Sequence, residues 1–262
     1  MRDRVAVVTT SYPEAPGDPA GHFVEAEVRA LGKAGDRVRV FALRGAAFGW
    51  PGMVARLREN PLRALPAALE MRRVARAIAS EGPFDRMIAH WAVPSAWPIA
   101  HASRTIELVS HGADVRLLVL LPAPLRERVV TRLLQTASSW RFPSPALLGD
   151  LARALSSTLH MRLERVAVVT PPALDMTLDA RLLDRVRASQ RELAAGRRVF
   201  VSVSRLVPSK RVDLAIAIAV REDAMLLVIG DGPERARLER QTREGRAAAH
   251  FLGKLTRPEA LA

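Results

Sequence analysis

Two aliphatic runs that flank one helix-length segment constrain the fold of this chain more than any other feature. The run VFVSVS begins at Val199, the apolar segment RVDLAIAIAV begins at Arg211, and the run MLLVIG begins at Met225. A strand, a helix and a second strand in this order form a βαβ unit with parallel strands. Ligands of open α/β sheets bind at the carboxyl ends of the strands, so the two loops that follow these strands are candidate binding elements.

Both loops carry residues that suit a diphosphate. The first loop contains Arg205 and Lys210, and the second reads Gly230-Asp231-Gly232-Pro233. Fixed cations attract phosphate, and glycines allow backbone N–H groups to approach it closely. The structural alternatives are a surface arginine beside a helix-start lysine, and a tight turn in which Asp231 caps the chain.

Strands and helices alternate along the whole sequence. This alternation predicts a doubly wound parallel sheet, with a domain boundary near residue 180 that separates domain 1–180 from domain 181–262. The second domain holds only about three strands, few for a parallel sheet that needs cover on both faces. The predicted strands are 4–10, 36–43, 86–90, 106–110 and 164–172. The predicted helices include 22–34, 65–80, 94–103 and a helix capped by Ser144. Residues 45–65 are predicted to be irregular, and a short apolar segment lies at 140–143.

The net charge of +13 comes almost entirely from arginine, since the chain has only three lysines. The arginines are scattered over helix faces and form no dense basic run. This pattern favours a solvated arginine-rich surface; a basic face for anionic lipid or an acidic acceptor is the next interpretation, and nucleic acid is not expected.

The chain contains no cysteine, which excludes disulfides and thiolate metal sites. Its amino terminus lacks the apolar core of a signal peptide, and no window reaches the roughly 20 apolar residues of a membrane span. We therefore expect a cytoplasmic protein whose contact with an anionic membrane, at the inner face of the plasma membrane, would be peripheral.

Several ligand-binding motifs are missing. No GxGxxG follows the first strand and no GxxxxGK[ST] occurs, so a nicotinamide dehydrogenase and a P-loop kinase are poorly supported. The sequence has no Asp-x-Asp pair, and its His and acidic residues show no metal-ligand spacing. We expect neither a cofactor nor a metal.

Motifs in both halves resemble the retaining glycosyltransferases of family 4, which have the GT-B fold. In the second half these are RLVPSK, LLVIGDGPE and HFLGKLTRPEALA; in the first half they are TTSYP, AHWAVPSAW, VSHGADV and VVTPPALD. The resemblance implies two Rossmann-like domains, of which the second is incomplete here. It also implies transfer of a sugar from a UDP- or GDP-sugar, with retention, to a glycan or lipid-linked acceptor in surface polysaccharide assembly.

The resemblance also assigns roles to individual residues. Arg205 and Lys210 would grip the diphosphate, whose negative charge grows in the transition state. His111 would contact the donor sugar near the reaction centre and Asp114 would bind the donor as well. His90 would border the acceptor cleft. Further donor-binding residues would be Gly21, Gly230, Asp231, Gly232 and Leu252.

Two positions depart from the family pattern. A glycine usually follows the lysine, whereas Arg211 stands here and could crowd the phosphate or add a cation. A second glycine usually accompanies Gly21, and Ala20 replaces it. For His111 and His90, the structural alternative is a histidine satisfied by hydrogen bonds at the end of a strand.

The family continues beyond the motifs found here, with a pair of glutamates that hold the donor ribose. We therefore expect a truncated member, such as a fragment or a frame-disrupted product, with exposed apolar strand faces and low activity. A non-catalytic nucleotide-sugar-binding or partner-binding remnant is one alternative. A UDP-N-acetylglucosamine epimerase is another, although the HGADV and RLVPSK pattern argues against it. The oligomeric state is not specified.

Overall fold

The computed structural model describes residues 2–14, 21–48, 53–96, 99, 106–171, 180–256 and 259–260, which form two compact units. Described residues up to Pro171 belong to the first unit. Those from Ala180 onward belong to the second. The predicted helix at 94–103 lies largely outside the described residues.

The first unit contains a six-stranded parallel sheet in the order β2-β1-β3-β4-β5-β6. Its strands are β1 (Arg4–Thr9), β2 (Arg37–Ala42), β3 (Arg86–His90), β4 (Ile106–Val109), β5 (Ala137–Phe142) and β6 (Ala167–Val169). Its helices are α1 (His22–Lys33), α2 (Met53–Glu59), α3 (Ala64–Glu81), α4 (Ala113–Leu120), α5 (Ala123–Thr136), α6 (Pro145–Arg153) and α7 (Ser157–Val166).

Strand β1 shows why this sheet is buried on both faces. Successive side chains of a strand point to opposite faces, and here both sets are aliphatic. Val5 and Val7 pack with Val24 of α1 in one hydrophobic cluster. Ala6 and Val8 belong to the larger cluster on the other face. The unbroken VAVV run therefore makes β1 an inner strand that is covered on both faces.

The second unit has a three-stranded parallel sheet in the order β7-β8-β9. Its elements are α8 (Ala180–Ala194), β7 (Val199–Val203), α9 (Val212–Arg221), β8 (Met225–Ile229), α10 (Arg235–Glu244) and β9 (Ala249–Gly253). One face of the sheet packs through Leu226 and Val228 against Ile216 of α9 and Leu238 of α10. The βαβ unit read from the sequence is therefore present.

The other face of this second sheet is partly open. Val201 and Val203 of β7 are 51% and 57% exposed, and Leu252 of β9 is 40% exposed. Because strand side chains alternate, these residues lie opposite the face that packs on α9 and α10. Exposed apolar side chains are thus found on β7 and β9 among the described residues, while the truncation from which they were expected stays a prediction.

Several local predictions differ from the structure. Residues Glu164 to Val166 were expected to begin a strand, but α7 runs to Val166 because Leu159 and Leu163 bury one helical face. Strand β6 is correspondingly short. The apolar segment at 140–143 proves to be the end of β5, and α2 lies within the region expected to be irregular. The capping role of Ser144 is confirmed, since its Oγ accepts a hydrogen bond from Leu147 N at 3.3 Å.

Candidate functional site

The two predicted histidines of the first unit lie at the carboxyl ends of neighbouring strands. His90 ends β3, and His111 follows β4 after Ser110. The strand order reverses direction between β1 and β3, because β2 lies on one side of β1 and β3 on the other. Such a switch point opens a crevice at the strand ends, so both histidines lie where ligands of this architecture bind.

The imidazole rings of His90 and His111 contact each other directly. Nδ1 of His90 is 3.0 Å from Nε2 of His111, and the ring planes are only 14° apart. The rings of Phe23 and Trp91 lie 4.6 and 4.5 Å from the His111 ring. His90 is 1% exposed and pairs with His111; its contact with an acceptor stays a prediction.

Burial makes this pair neutral. Desolvation lowers the pKa of His90 to about 3, and the positive charge of Arg141 adds to the effect. Desolvation also lowers the pKa of His111 to about 3, with further contributions from His90 and Arg141. At neutral pH each ring therefore carries one proton. One ring donates its proton in the hydrogen bond between them, and the other ring accepts it.

Asp114, in the first turn of α4, holds the loop that carries His111. Its side chain is buried, and Oδ1 accepts hydrogen bonds from the backbone N–H groups of His111 and Gly112, each at 3.1 Å. Oδ2 accepts from Ala92 N at 3.0 Å and from Ser110 Oγ at 2.8 Å. Burial raises the pKa of Asp114, and these hydrogen bonds oppose the rise. The geometry gives Asp114 a role in positioning; donor binding by its side chain stays a prediction.

Gly21 immediately precedes α1 and lies directly against the loop after β1. Its φ of 69° is left-handed, and a Cβ there would be 2.3 Å from the carbonyl oxygen of Ser11. Glycine is thus required for this close approach, whether or not the backbone also meets a phosphate. The neighbouring Ala20 lies outside the described residues.

In the second unit, the two candidate loops are joined by their backbones. Leu206 N donates to the carbonyl oxygen of Asp231 at 2.9 Å, and Glu234 N donates to that of Leu206 at 3.1 Å. A Cβ on Gly230 would be 1.9 Å from the oxygen of Ser204, and one on Gly232 would be 2.4 Å from that of Leu206. Both glycines are needed for this contact, which supplies a structural reason for them.

The joined loops present Arg205 and Lys210 as exposed side chains at the carboxyl end of β7. Asp231 is engaged within its own loop, where Oδ1 accepts from Gly232 N at 2.7 Å. Arg211 has a left-handed φ of 49°, which accounts for the glycine usual there, and its guanidinium forms an ion pair with Asp213 at 3.1 Å. The guanidinium of Arg211 is therefore paired with a carboxylate on its own chain segment.

Two residues that the sequence did not single out complete the histidine cluster. Arg141 of β5 donates from its guanidinium to Oε1 of Glu27 at 2.5 Å, and Oε2 of Glu27 is 3.7 Å from Nε2 of His90. Glu27 lies on α1 and Arg141 is 114 positions away in the sequence. Arg141 falls near a strand end, a signal that could have been used, whereas Glu27 has no local signature.

A surface recess of about 420 Å³ lies elsewhere in the second unit, between the end of α8 and the start of β7. Arg187, Arg191 and Arg197 line it. This is the opposite end of β7 from Arg205, so the recess is distinct from the predicted diphosphate loops. Among the described residues, no group of three or more His, Asp or Glu could hold a metal, and no helix is long and apolar enough to span a membrane.

No protein-family model matches the sequence, and no curated protein matches it significantly. Solved structures do share its architecture. HepE from Anabaena in complex with UDP-glucose is 18% identical with a TM-score of 0.63, covering 99% of this chain and 71% of HepE. The catalytic domain of starch synthase IV from Arabidopsis thaliana, bound to ADP and acarbose, is 13% identical with a TM-score of 0.62, covering 100% of this chain and 76% of that domain.

A third similar structure is the apo form of the lipopolysaccharide outer core galactosyltransferase WaaB. It is 12% identical with a TM-score of 0.56, covering 97% of this chain and 69% of WaaB. Likenesses at these identities establish the fold. The chain is an α/β protein with a GT-B-like fold, built from two Rossmann-like units with parallel sheets.

Replacing Gly230 by Ala is expected to loosen the second unit, because the added Cβ would collide with the Ser204 backbone at a left-handed φ of 130°. Strain of this kind costs about 1–3 kcal/mol. Hydrogen exchange of β7 and β8 peptides, measured by mass spectrometry, should accelerate roughly 10- to 100-fold. Gly245→Ala is the matched control, since Gly245 has a right-handed φ of −79°. Equal exchange in the two variants would contradict this explanation.

Lowering the pH from 7 to 5 is expected to destabilise the first unit. Both histidine pKa values lie below their ordinary value of 6.5 in the folded protein, so the unfolded chain binds more protons below that pH and stability falls with acidification. The slope is at most about 1.4 kcal/mol per pH unit for each histidine.

Tryptophan fluorescence measured in increasing urea follows the unfolding of the first unit, because all four tryptophans precede residue 172. The free energy of unfolding should depend less steeply on pH in His111→Asn than in the wild-type protein. The carboxylates common to both proteins contribute equally to each. A slope unchanged by His111→Asn would contradict the assignment to the histidine pair.

Proposed function

We propose that this chain is a retaining glycosyltransferase of the family 4 kind, which takes a sugar from a UDP- or GDP-sugar. The observation that carries the proposal is the pair of exposed cations, Arg205 and Lys210, on a loop locked to a glycine loop at the strand ends of a GT-B-like fold. A nucleoside diphosphate is the ligand class that suits two cations beside a close-approach glycine loop.

The similar structures support this ligand class. HepE was solved with UDP and with UDP-glucose, and starch synthase IV with ADP and acarbose. WaaB is described as a galactosyltransferase. Those ligands and activities belong to those proteins; for this chain they favour a nucleotide-sugar donor over the other ligands of α/β folds.

The proposed reaction needs no nucleophile from the protein. An acceptor hydroxyl attacks C1 of the donor sugar on the face from which the diphosphate leaves, and the C1–O bond to the diphosphate breaks. The bonding electrons leave with the nucleoside diphosphate, and the hydroxyl proton passes to the departing phosphate oxygen. Arg205 and Lys210 would stabilise the charge that grows on this group, which makes them catalytic as well as binding residues.

The remaining predicted residues take supporting roles in this proposal. His111 contacts the donor sugar, and Asp114 holds the loop that carries it. The backbones of Gly21, Gly230 and Gly232 approach the phosphates, and Leu252 borders the base. The acceptor would be a glycan or lipid-linked sugar of surface polysaccharide assembly, and neither metal nor cofactor takes part.

Titration calorimetry with UDP, GDP and ADP tests the nucleotide part of the proposal. UDP or GDP should bind more tightly than ADP, and Arg205→Ala or Lys210→Ala should weaken that binding about 10- to 100-fold, since hydrogen bonds to charged groups contribute about 1.5–3 kcal/mol. Arg243→Ala, at an exposed position of α10, should leave binding unchanged. No binding of any nucleotide would refute the function. Binding without transfer would identify a nucleotide-sugar-binding protein instead.

A surface on α3 supports a lipid-linked acceptor at an anionic membrane. Leu62, in the turn before α3, and Leu65 and Leu69 within it are 82%, 69% and 56% exposed and recur at helical spacing. The exposed arginines Arg72 and Arg76 continue the same stripe toward the helix end. Apolar side chains beside arginines are the composition of an interfacial helix.

Sedimentation with vesicles tests this surface. The chain should bind vesicles that contain anionic phosphatidylglycerol, and replacing Leu65 and Leu69 by Ser should reduce the bound fraction severalfold. Leu214→Ser on α9, at a position 47% exposed, serves as the control. Equal binding by neutral and anionic vesicles, or no effect of the α3 changes, would count against the membrane contact.

A further inference from the structure

The histidine pair has a carboxylate beside it to which the family resemblance gives no role. Oε2 of Glu27 lies 3.7 Å from Nε2 of His90, and the other oxygen of Glu27 accepts from Arg141. Nε2 of His90 is itself buried and has no hydrogen-bond partner. Glu27 is therefore the carboxylate that faces an otherwise unengaged ring nitrogen.

The hydrogen bond between the two neutral rings can be made in two ways. In one, Nδ1 of His90 donates to Nε2 of His111, and Nε2 of His90 turns a bare lone pair toward Glu27. In the other, Nε2 of His111 donates to Nδ1 of His90, and Nε2 of His90 carries a proton that faces the carboxylate. The two arrangements differ in the tautomer of both rings.

The charge of Glu27 separates these arrangements. A lone pair facing a carboxylate is repelled, whereas an N–H facing it is attracted, and burial strengthens both effects. The positive charge of Arg141 acts in the opposite sense, but its guanidinium donates to Glu27 and makes no hydrogen bond to either ring among the described residues. Asp114 accepts from the backbone of His111, and not from its ring.

We propose that Glu27 is a positioning residue that selects the second arrangement, so that His111 is protonated at Nε2 and keeps Nδ1 as an acceptor. An acceptor at Nδ1 suits a ligand hydroxyl, which can donate, and disfavours a bare phosphate or carbonyl oxygen. This ligand preference rests on the proposed function, because it assigns His111 to the hydroxyl-rich sugar of the donor. The tautomer itself follows from the geometry of the first unit alone.

Long-range nitrogen–proton correlation spectra of the chain labelled with ¹⁵N-histidine test the tautomer. The spectra distinguish protonated from bare ring nitrogens, and His90→Asn and His111→Asn identify the two sets of signals. We expect both rings to be protonated at Nε2 and bare at Nδ1 at pH 7.5. A proton on Nδ1 of His111 would overturn the proposal. It would mean that the positive charge of Arg141, and not the negative charge of Glu27, determines the tautomer.

Variants on α1 test whether Glu27 is responsible. Glu27→Gln removes the charge at nearly constant size and should lower the fraction of this tautomer, whereas Glu27→Asp keeps the charge and should largely retain it. Glu25→Gln, which removes the ion pair with Arg29 on the same helix, should leave the histidine signals unchanged. Unchanged signals in Glu27→Gln, or identical signals in Glu27→Gln and Glu27→Asp, would overturn the role of Glu27.

A ligand measurement separates this inference from the proposed function. UDP-glucose serves as the probe. Glu27→Gln should weaken the binding of UDP-glucose about 2- to 10-fold, which corresponds to one ordinary hydrogen bond, and should leave the binding of UDP unchanged. Failure of the wild-type chain to bind any of UDP, GDP and ADP would refute the function and leave the tautomer result standing. Equal weakening of UDP and UDP-glucose would overturn the hydroxyl preference.

Discussion

The parallel register of β3 and β4 is the constraint on which the first site depends. His90 is paired with Val109, so the chain that leaves β4 must pass beside the end of β3. That register brings the His111 ring next to the His90 ring. Asp114 fixes the turn after β4 through three hydrogen bonds and joins it to Ala92, after β3, through a fourth. The cluster is therefore a consequence of backbone pairing, and its side chains refine a geometry that the sheet has already set.

Burial then decides the chemistry of this cluster. In water both imidazoles would titrate near neutrality, but here desolvation lowers each pKa to about 3. Neutral rings can act as hydrogen-bond donors or acceptors and do not supply a positive charge. The histidine pair of the first unit is therefore a neutral hydrogen-bonding group, whereas the candidate loop of the second unit carries the exposed, positively charged Arg205 and Lys210.

In the second unit, the same kind of strand-end loop is shaped by backbone contact. Gly230 and Gly232 lie so close to the loop after β7 that a methyl group has no room at either position. The resemblance assigned these glycines to phosphate binding, and the structure adds a reason internal to the fold. Both reasons can hold at one position, since a tightly joined pair of loops also fixes the backbone that carries Arg205 and Lys210.

Local patterns predicted the elements that are long or sharply bounded. The βαβ unit, α3, the strand at 86–90 and the Ser144 cap were all found from apolar spacing and turn residues. The patterns failed where a short apolar run adjoined a helix, as at α7 and β6, because burial of Leu159 and Leu163 extended the helix into the expected strand. Strand β5 was predicted only as a short apolar segment at 140–143, since polar Ser138 and Ser139 conceal its beginning.

The sequence by itself determined the architecture and the positions of both candidate loops, because hydrophobic period and strand-end residues are local properties. Only the tertiary structure decided which side chains meet. It paired Glu27 with Arg141 across 114 positions, buried His90, and showed that Asp114 is enclosed by donors. Contacts of this kind depend on strand order and register, which bring distant residues together and leave no mark in the spacing of neighbouring residues.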